Sequence, residues 1–295
     1  MQPSLFGAVF MAGLSIIVPA NNEAEQIGGC LESLLKSTPK PGYGSGSIPV
    51  PMPIEVLVVA NGCSDQTVAI AQKYASRFAA MGWDFSVLDI AEGSKMLALN
   101  TGDAAAMHRA RAYLDADVRL GPTLLDQLAR VLQSEKPVYA SGQCVIAPAE
   151  NWATKAYARI YSKVPFMTTG TPGCGLFGVS AAGRSRWGKF PDIISDDTFV
   201  RLSFAPQERL RLRGKYSWPL VEGYSNLVKV RRRQNVGVSE VKHQYQKLMK
   251  NDDKPRLGWI TVLALAMRDP VGFAVYASVA VATRFGGEGG WSRGR

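Results

Sequence analysis

Short apolar runs alternate with longer segments of helical periodicity over the first part of the chain. Leu14–Val18 is short, rich in branched side chains and followed by Pro19, which is typical of a strand buried in a parallel sheet. Three further strands are predicted over Ile54–Ala60, Phe85–Ile90 and Arg111–Leu114. The pattern therefore predicts four strands before residue 115.

Helices are predicted between these strands. Glu23–Lys36 carries apolar residues at helical spacing, and Thr67–Ala80 and Lys95–Arg109 are the second and third helices. Thr38–Pro53 is rich in proline, glycine and serine and is expected to form a loop. This alternation predicts an α/β fold with a mainly parallel, Rossmann-like sheet and helices on both faces. Ligands of such sheets lie at the carboxyl ends of the strands, and polar residues follow strands one, two and four.

The pattern changes after Val138. Glycine and proline recur between Gly170 and Gly178, and an acidic pair follows at Asp196-Asp197. We expect this second part of the chain to form the opposite wall of a cleft whose first wall is the sheet edge.

Two apolar segments, Leu257–Met267 and Val271–Thr283, lie near the end of the chain and are separated by Pro270. Neither reaches the roughly 20 residues of a membrane-spanning helix, and proline interrupts helices. Two short helices in a membrane interface are one interpretation, and a helical hairpin packed on the main domain or on another copy is the alternative. In the first case the expected head-group and anchoring residues are Arg256, Arg268, Arg284, Trp259 and Tyr276.

The formal net charge of +10 favours an anionic partner such as nucleic acid, anionic lipid or a phosphorylated substrate. Basic residues cluster late, at Arg231–Arg233 and from Lys242 to Lys254, close to the apolar segments. This arrangement favours an anionic membrane surface and argues against nucleic acid. Met1–Ala20 lacks the basic start of a signal peptide, so we interpret it as leading into the first strand and expect a cytoplasmic catalytic part.

An Asp-x-Asp sequence follows the fourth strand. Asp115 and Asp117 occupy alternate positions in an expected tight turn, so both carboxylates can approach one divalent cation. Mg²⁺ and Mn²⁺ prefer such oxygen ligands and share their coordination shell with phosphate oxygens. The motif is common by chance and often only caps a helix; its position at a strand end is what favours a metal site.

Two loops and one lysine are further candidate contacts to a phosphate-containing ligand. Pro19–Glu23 closes strand one, Asn61–Asp65 closes strand two, and Lys95 begins the third helix. Glu23 and Asp65 can hydrogen-bond a base or ribose, or merely cap the following helices; Lys95 can reach phosphate or stay solvated. A Rossmann dehydrogenase is excluded because the loop after strand one has no glycine.

Taken in order, these motifs resemble family-2 glycosyltransferases of the GT-A fold. The resemblance rests on Ile16–Glu23, Val58–Asp65, Lys95 with Asn100, Leu114–Asp117, and the segment from Gly173 to Arg201. It covers roughly residues 13–235 and implies transfer of a sugar from a nucleotide-diphosphate sugar, with UDP-sugars favoured and GDP-sugars as the alternative. It implies a GT-A domain over residues 1–235, with a donor half over 1–120 and an acceptor half over 121–235. A C-terminal helical, membrane-associating segment over residues 236–295 is expected to follow.

The resemblance also implies roles for particular residues. Asp197 is the expected general base, with Asp196 beside it, because direct displacement at the anomeric carbon needs one carboxylate that removes the acceptor proton. Such a reaction inverts the configuration, since a double displacement needs a second, nucleophilic carboxylate. Asp115 and Asp117 are the expected ligands of Mn²⁺ or Mg²⁺. The expected contacts to the nucleotide sugar are Pro19, Ala20, Asn22, Glu23, Asn61, Asp65, Lys95, Asp115, Ala116 and Arg232.

Arg231–Gln234 resembles the segment that closes over the diphosphate in this family, and a lipid-facing basic patch is the alternative. The expected acceptor is a lipid-linked saccharide of polysaccharide biosynthesis, at the cytoplasmic face of the inner cell membrane, with the protein peripheral or monotopic. A non-catalytic nucleotide-sugar-binding subunit is the alternative function. The joint presence of Asp115, Asp117 and Asp197 argues against that alternative.

Overall fold

A computed structural model of the protein describes residues 13–37, 52–253, 255 and 257–285. The loop predicted at Thr38–Pro53 falls largely outside the described residues, and Lys254 and Arg256 fall wholly outside them.

The described chain forms one sheet of eight strands. The strands are β1 (Leu14–Ala20), β2 (Ile54–Asn61), β3 (Asp84–Ile90), β4 (Ala110–Leu114), β5 (Arg119–Leu120), β6 (Tyr139–Ile146), β7 (Leu176–Val179) and β8 (Arg209–Trp218). They are hydrogen-bonded in the order β3-β2-β1-β4-β7-β6-β8-β5.

Helices surround this sheet. They are α1 (Ile27–Lys36), α2 (Thr67–Gln72), α3 (Ala75–Ala80), α4 (Lys95–Ala105), α5 (Leu124–Val131), α6 (Trp152–Tyr161), α7 (Pro165–Thr168), α8 (Ala181–Arg184), α9 (Asp196–Leu202), α10 (Tyr224–Gln244), α11 (Trp259–Arg268) and α12 (Pro270–Ala282). Two 3₁₀ segments, Pro206–Glu208 and Gln246–Asn251, complete the described elements.

The central strands are buried on both faces, as their apolar runs predicted. Every residue of β1 and β2 is buried. Alternate side chains of β1 enter two cores: Ile16 shares one with Leu31 of α1, and Ile17 shares the other with Leu99 of α4. Full burial of such a side chain contributes about 1.5–3 kcal/mol. The parallel strands therefore form a firm base for the residues at their carboxyl ends.

The complete sheet is mixed, so the prediction of a mainly parallel sheet holds only for its first half. β3, β2, β1 and β4 are parallel neighbours. β7 runs antiparallel to β4 and β6, β5 runs antiparallel to β8, and β6 and β8 are parallel. β7 has only four residues, and its pairing depends on long-range contacts that no local pattern encodes.

Three helices differ from their predicted bounds. α1 begins at Ile27, because the backbone N–H of Ile27 donates to the carbonyl of Glu23 and closes a turn before the helix. The helix predicted over Thr67–Ala80 is divided into α2 and α3, with Tyr74 N–H donating to a carbonyl only three residues earlier. α4 ends at Ala105, which lets the chain re-enter the sheet at β4.

The C-terminal helices pack against the rest of the protein. α12 lies against α6 and α10; Val279 is buried, and the ring centroids of Tyr276 and Tyr157 are 5.4 Å apart. Arg159 of α6 donates to both carboxylate oxygens of Asp269 just before α12. Within the described part of the chain, none of the helices has the length and apolarity to cross a membrane. α10 runs through residue 235, where the two domains were expected to meet.

Candidate active site

A cleft of about 740 Å³ lies at the carboxyl ends of β1, β2 and β4. One wall carries the residues that follow these strands, and the opposite wall carries the acidic pair at the start of α9. The expected site residues that line the cleft are Pro19, Asn22, Glu23, Asn61, Lys95, Asp115, Ala116, Asp117, Asp196 and Asp197. Both halves of the chain therefore contribute to a single site.

Asp115 and Asp117 lie in a tight turn directly after β4. Asp115 N–H donates to Gly175 O at 2.8 Å and Val118 N–H donates to Asp115 O at 3.0 Å, which fixes the turn beside β7. Within the described ranges, no group of three or more Asp, Glu, His or Cys side chains forms a metal site by itself. Two carboxylates lining a cleft fit a Mg²⁺ or Mn²⁺ ion that completes its shell with phosphate oxygens and water.

Lys95 joins the two walls of the cleft. Ser94 caps α4 by accepting a hydrogen bond from Leu97 N at 3.2 Å, so Lys95 is the first helical residue. Its Nζ lies 3.0 Å from Asp115 Oδ1 and 3.2 Å from Asp196 Oδ1. Desolvation opposes its charge, but the carboxylates of Asp115 and Asp196 outweigh this and raise the pKa of Lys95 above its ordinary value. Lys95 is therefore a cation held between two carboxylates.

The acidic pair occupies the first turn of α9. Asp196 is 5% exposed and contacts Lys95, and Asp197 Oδ1 accepts a hydrogen bond from Thr198 N at 2.7 Å. Burial, and then the charge of Asp196, raises the pKa of Asp197 to about 6, although Lys95 favours its ionised form. At neutral pH such a carboxylate is mostly ionised and is a stronger base than an ordinary aspartate.

Side-chain amides hold the loops after β1 and β2 together. Asn21 Nδ2 donates to the carbonyl of Asn61, and Asn61 Nδ2 donates to Ala20 O at 2.9 Å. Asn22 has a φ of +51°, a conformation that asparagine adopts more readily than most residues. Its Oδ1 accepts from Ser64 N at 2.7 Å, which joins the two loops a second time. The loops therefore present a firm polar surface to the cleft.

Two expected nucleotide contacts, Ala20 and Asp65, are not among the residues that line the cleft. Ala20 is buried and its carbonyl accepts the bond from Asn61. Asp65 accepts hydrogen bonds from Ala24 N at 3.0 Å and Thr67 N at 2.9 Å. Partial burial opposes ionisation, but the hydrogen bonds from Thr67 and Ala24 hold the pKa of Asp65 below its ordinary value. The geometry gives Asp65 the capping role that was the alternative for this residue.

The basic segment lies on α10, and its arginines point in different directions. Arg231 and Arg233 line the cleft. Arg232 instead donates to the carbonyls of Ala282 and Phe285, both at 3.1 Å, near the C-terminal end of α12. The phosphate contact expected of Arg232 therefore does not match its position, because its guanidinium is engaged at the end of another helix.

One wall of the cleft is aromatic and was not predicted from the sequence. Tyr157 and Tyr161, one helical turn apart on α6, line it together with Trp218 of β8 and Tyr276 of α12. The guanidinium carbon of Arg231 lies 5.3 Å from the centre of the Tyr161 ring. Tyr276, which was expected as a membrane anchor, belongs to this wall. The i, i+4 spacing of the two tyrosines was the available signal, but long-range packing of α12 on α6 assembles the wall.

Residues 15–187, more than half of the chain, match the sequence model of the protein family described as glycosyl transferase family 2. The matched segment contains β1 to β4 with their loops, the Asp-x-Asp turn and β7. It ends before the acidic pair of α9.

Two curated proteins are similar over a shorter segment. The uncharacterized glycosyltransferase YibD of Escherichia coli (strain K12) is 27% identical over 115 residues, which is 39% of this chain and 29% of that protein. Glycosyltransferase AglE of Haloferax volcanii is 34% identical over 105 residues, which is 35% of this chain and 30% of that protein. The match thus spans less than a third of either relative.

Solved structures are similar over most of the chain. The mannosyltransferase PcManGT of Pyrobaculum calidifontis, in complex with GDP-Man and Mn²⁺, aligns with a TM-score of 0.56 and 19% identity over 95% of this chain and 77% of that chain. Residues 1–349 of S. aureus TarS, in complex with UDP, align with a TM-score of 0.51 and 14% identity over 92% of this chain and 91% of that chain. At these identities the likeness is one of fold.

Proposed function

The chain belongs to glycosyl transferase family 2 and has a GT-A-like α/β fold, and from this premise we propose that it transfers a sugar from a nucleotide-diphosphate sugar to an acceptor hydroxyl. The observation that carries the proposal is the position of Lys95, which contacts Asp115 on one wall and Asp196 on the other. A single side chain, that of Lys95, therefore connects the candidate diphosphate site at Asp115 with the acidic pair that contains the candidate base, Asp197.

The donor nucleotide is assigned to the wall formed by the loops after β1 and β2. Asn21, Asn22 and Asn61 line it with Pro19 and Glu23, a set of hydrogen-bonding groups that suits a nucleobase and a ribose. The similar structures were solved with GDP-Man and with UDP. We propose a UDP-sugar as the donor, with a GDP-sugar as the alternative.

Asp115 and Asp117 would hold a Mn²⁺ or Mg²⁺ ion beside the donor diphosphate. When bound, such an ion supplies positive charge that stabilises the departing diphosphate. Lys95 adds a fixed cation next to Asp115, and Arg233 of α10 places a further positive charge in the cleft. The cleft therefore offers cations where negative charge develops on the leaving group.

Asp197 is the proposed base, and the proposed stereochemical course is inversion. In direct displacement Asp197 removes the proton of the acceptor hydroxyl, the acceptor oxygen bonds to the anomeric carbon, and the nucleoside diphosphate leaves from the opposite face. Asp196 is engaged by Lys95, so Asp197 is the member of the pair that is assigned to the acceptor. A retaining double displacement requires a separate nucleophilic carboxylate.

The experiment that tests the function is release of nucleoside diphosphate from a panel of nucleotide sugars, with Mn²⁺ and with extracted membrane lipids as acceptor. If the protein is a transferase, one nucleotide sugar of the panel should release its nucleoside diphosphate faster when the acceptor is present than when it is absent. Tight binding of a nucleotide sugar without any release would instead favour the non-catalytic binding subunit.

Replacing Lys95 with glutamine moves the acidic limb of the pH profile to higher pH. Asp197 accepts a proton only when ionised, and its pKa of about 6 predicts that kcat/KM falls as the pH drops through that value. Lys95 favours the ionised form, so loss of its charge raises the pKa of Asp197 further. Profiles of kcat/KM against pH for the wild type, Lys95→Gln and the exposed control Lys36→Gln check this. An unshifted limb in Lys95→Gln contradicts the assigned coupling.

The proposed acceptor is a lipid-linked saccharide used in polysaccharide biosynthesis at the cytoplasmic face of the inner membrane. An exposed apolar surface on α11 and α12 supports association with a membrane, because such large side chains are seldom exposed together. Its members are Trp259 (76% exposed), Ile260 (66%), Leu263 (51%), Met267 (70%), Val271 (60%), Val281 (51%) and Phe285 (74%). Arg268 at the end of α11 and Arg284 just after α12 are also exposed and would meet anionic head groups.

The double variant Trp259→Ser/Met267→Ser should bind vesicles at least about tenfold more weakly than the wild type, because burial of each apolar side chain contributes about 1.5–3 kcal/mol. Flotation with phosphatidylglycerol-containing vesicles measures it. Trp152→Ser is the matched control, since Trp152 is 68% exposed but lies on α6. Equal flotation of the double variant and the wild type would remove the membrane from the proposal.

A further inference from the structure

A second, smaller cavity opens beside the main cleft. It has a volume of about 210 Å³ and lies between α6, α10 and α12. We call it the side pocket. Its polar and aromatic lining consists of Tyr157, Arg231, Asn235, Tyr276, Thr283 and Arg284. Tyr157, Arg231, Asn235 and Tyr276 also line the main cleft, so the two cavities share a wall.

The side pocket is positively charged. Its lining includes two arginines, Arg231 and Arg284, and no carboxylate among the described residues. Arg231 NH1 lies 2.8 Å from Gln234 Oε1 and 3.4 Å from Tyr161 OH, and both partners are neutral groups. Burial raises the pKa of the Tyr161 hydroxyl, so this group stays protonated. The charge of Arg231 is thus solvated by dipoles and leaves room for an anion.

The side pocket also has a fixed place between two other surfaces. On one side lies the main cleft, with Asp197. Thr283 and Arg284 of the side pocket lie along the chain between Val281 and Phe285, which are 51% and 74% exposed. Base, anion site and apolar surface therefore follow one another. A saccharide joined through phosphate to an apolar chain has the same order of groups: a sugar hydroxyl, an anion and an apolar chain.

We propose that the side pocket binds the phosphoryl group of a phosphate-bearing acceptor, with Arg231 and Arg284 contacting the phosphate oxygens. This inference rests on the proposed transferase function and assigns the acceptor's chemical class. Asn235 and Thr283, whose side chains lie 3.5 Å apart, offer hydrogen-bond donors to the same oxygens. The donor diphosphate belongs to the Asp115 turn, so the two phosphate groups occupy separate sites.

The test is the affinity of the full chain for geranyl diphosphate, measured by isothermal titration calorimetry. The measurement does not require the protein to be catalytically active. We compare the wild type, Arg284→Gln, and the control Arg268→Gln, which removes an exposed arginine of α11 outside the side pocket. Each protein is titrated with and without saturating nucleoside diphosphate. Geraniol and inorganic phosphate serve as the apolar and anionic halves of the probe.

Arg284→Gln should weaken geranyl diphosphate binding about tenfold, the loss expected for one charge-assisted contact. Arg268→Gln should bind like the wild type, and saturating nucleoside diphosphate should leave binding in place. Equal affinity in Arg284→Gln, or complete displacement by nucleoside diphosphate, overturns the inference. Inorganic phosphate binding as tightly as geranyl diphosphate would also overturn it, by identifying a site for free phosphate. Absence of any nucleoside diphosphate binding would count against the transferase instead, and the comparison of variants would still decide the side pocket.

Discussion

Replacing Asp197 with asparagine lowers the transfer rate by about 10²–10⁴-fold, the range that a general base contributes, while donor affinity stays within a few-fold. Asparagine keeps the size of the side chain but cannot accept the acceptor proton. The donor is proposed to bind to the loops after β1 and β2 and to the Asp115 turn, whereas the hydrogen bond of Asp197 is with Thr198 N in its own helix. Single-turnover transfer and nucleotide-sugar titration measure the two quantities separately.

The same variant should be slightly more stable than the wild type. The pKa of Asp197 is about 6 in the folded protein, above the ordinary aspartate value of 3.8. The unfolded chain therefore loses this proton first, so the stability contribution falls as pH rises from about 3.8 to 6 and stays low at neutral pH. A neutral asparagine avoids this loss. We expect a melting temperature above that of the wild type at pH 7, and a difference that shrinks as the pH falls towards about 4.

Asp192→Asn is the matched control, because Asp192 is exposed near the same segment and does not line the cleft. It should transfer sugar at the wild-type rate. Collapse of donor affinity together with activity in Asp197→Asn, accompanied by a lower melting temperature, would assign Asp197 a structural role and contradict the account.

Replacing Asp117 with alanine removes both the activity and its dependence on Mn²⁺. Asp115 and Asp117 would be the protein ligands of the proposed ion, and a cation that loses one of two carboxylates binds far more weakly in competition with water. We expect transfer to fall by at least about 10²-fold, since stabilisation of the leaving group is worth several kcal/mol. Nucleoside diphosphate affinity, measured with and without Mn²⁺, should lose its Mn²⁺ enhancement in the variant.

Asp89→Ala controls for the loss of a carboxylate, because Asp89 is exposed on β3 and does not line the cleft. It should keep the Mn²⁺ enhancement. If Asp117→Ala retained full enhancement by Mn²⁺, the ion would have to be held elsewhere and the assignment of the Asp-x-Asp turn would be wrong.

The donor side of the site could be predicted because its information is local. Parallel strands have their carboxyl ends at the same edge of the sheet. The residues after β1, β2 and β4 therefore lie close together, independently of how the rest of the chain folds. Lys95 was predictable for the same reason, as the first residue of a helix that starts at this edge. The capping role of Asp65 could not be told from its sequence, because a carboxylate in a turn has the same local pattern whether it contacts a ligand or caps a helix.

The other wall could not be predicted, because it is assembled by contacts distant in sequence. β7 reverses the sheet direction between β4 and β6, and α12 returns to α6 more than 100 residues later to place Tyr276 beside Tyr157. Apolar segments such as α11 and α12 look the same whether they face lipid or protein. In the structure, α12 has a packed face that includes Val279 and an exposed face that includes Val281. The apolar pattern of its sequence did not predict which face is packed.

A thermal-shift screen of nucleoside diphosphates, with and without Mn²⁺, tests whether Lys95, Asp115, Asp117 and Asp197 line a donor site. We expect one nucleoside diphosphate to raise the melting temperature by about 2–4 °C or more when Mn²⁺ is present, and by less without it. The same shift should disappear in Asp117→Ala. A melting temperature that responds to no nucleoside diphosphate, with or without Mn²⁺, would show that the cleft is not a donor site.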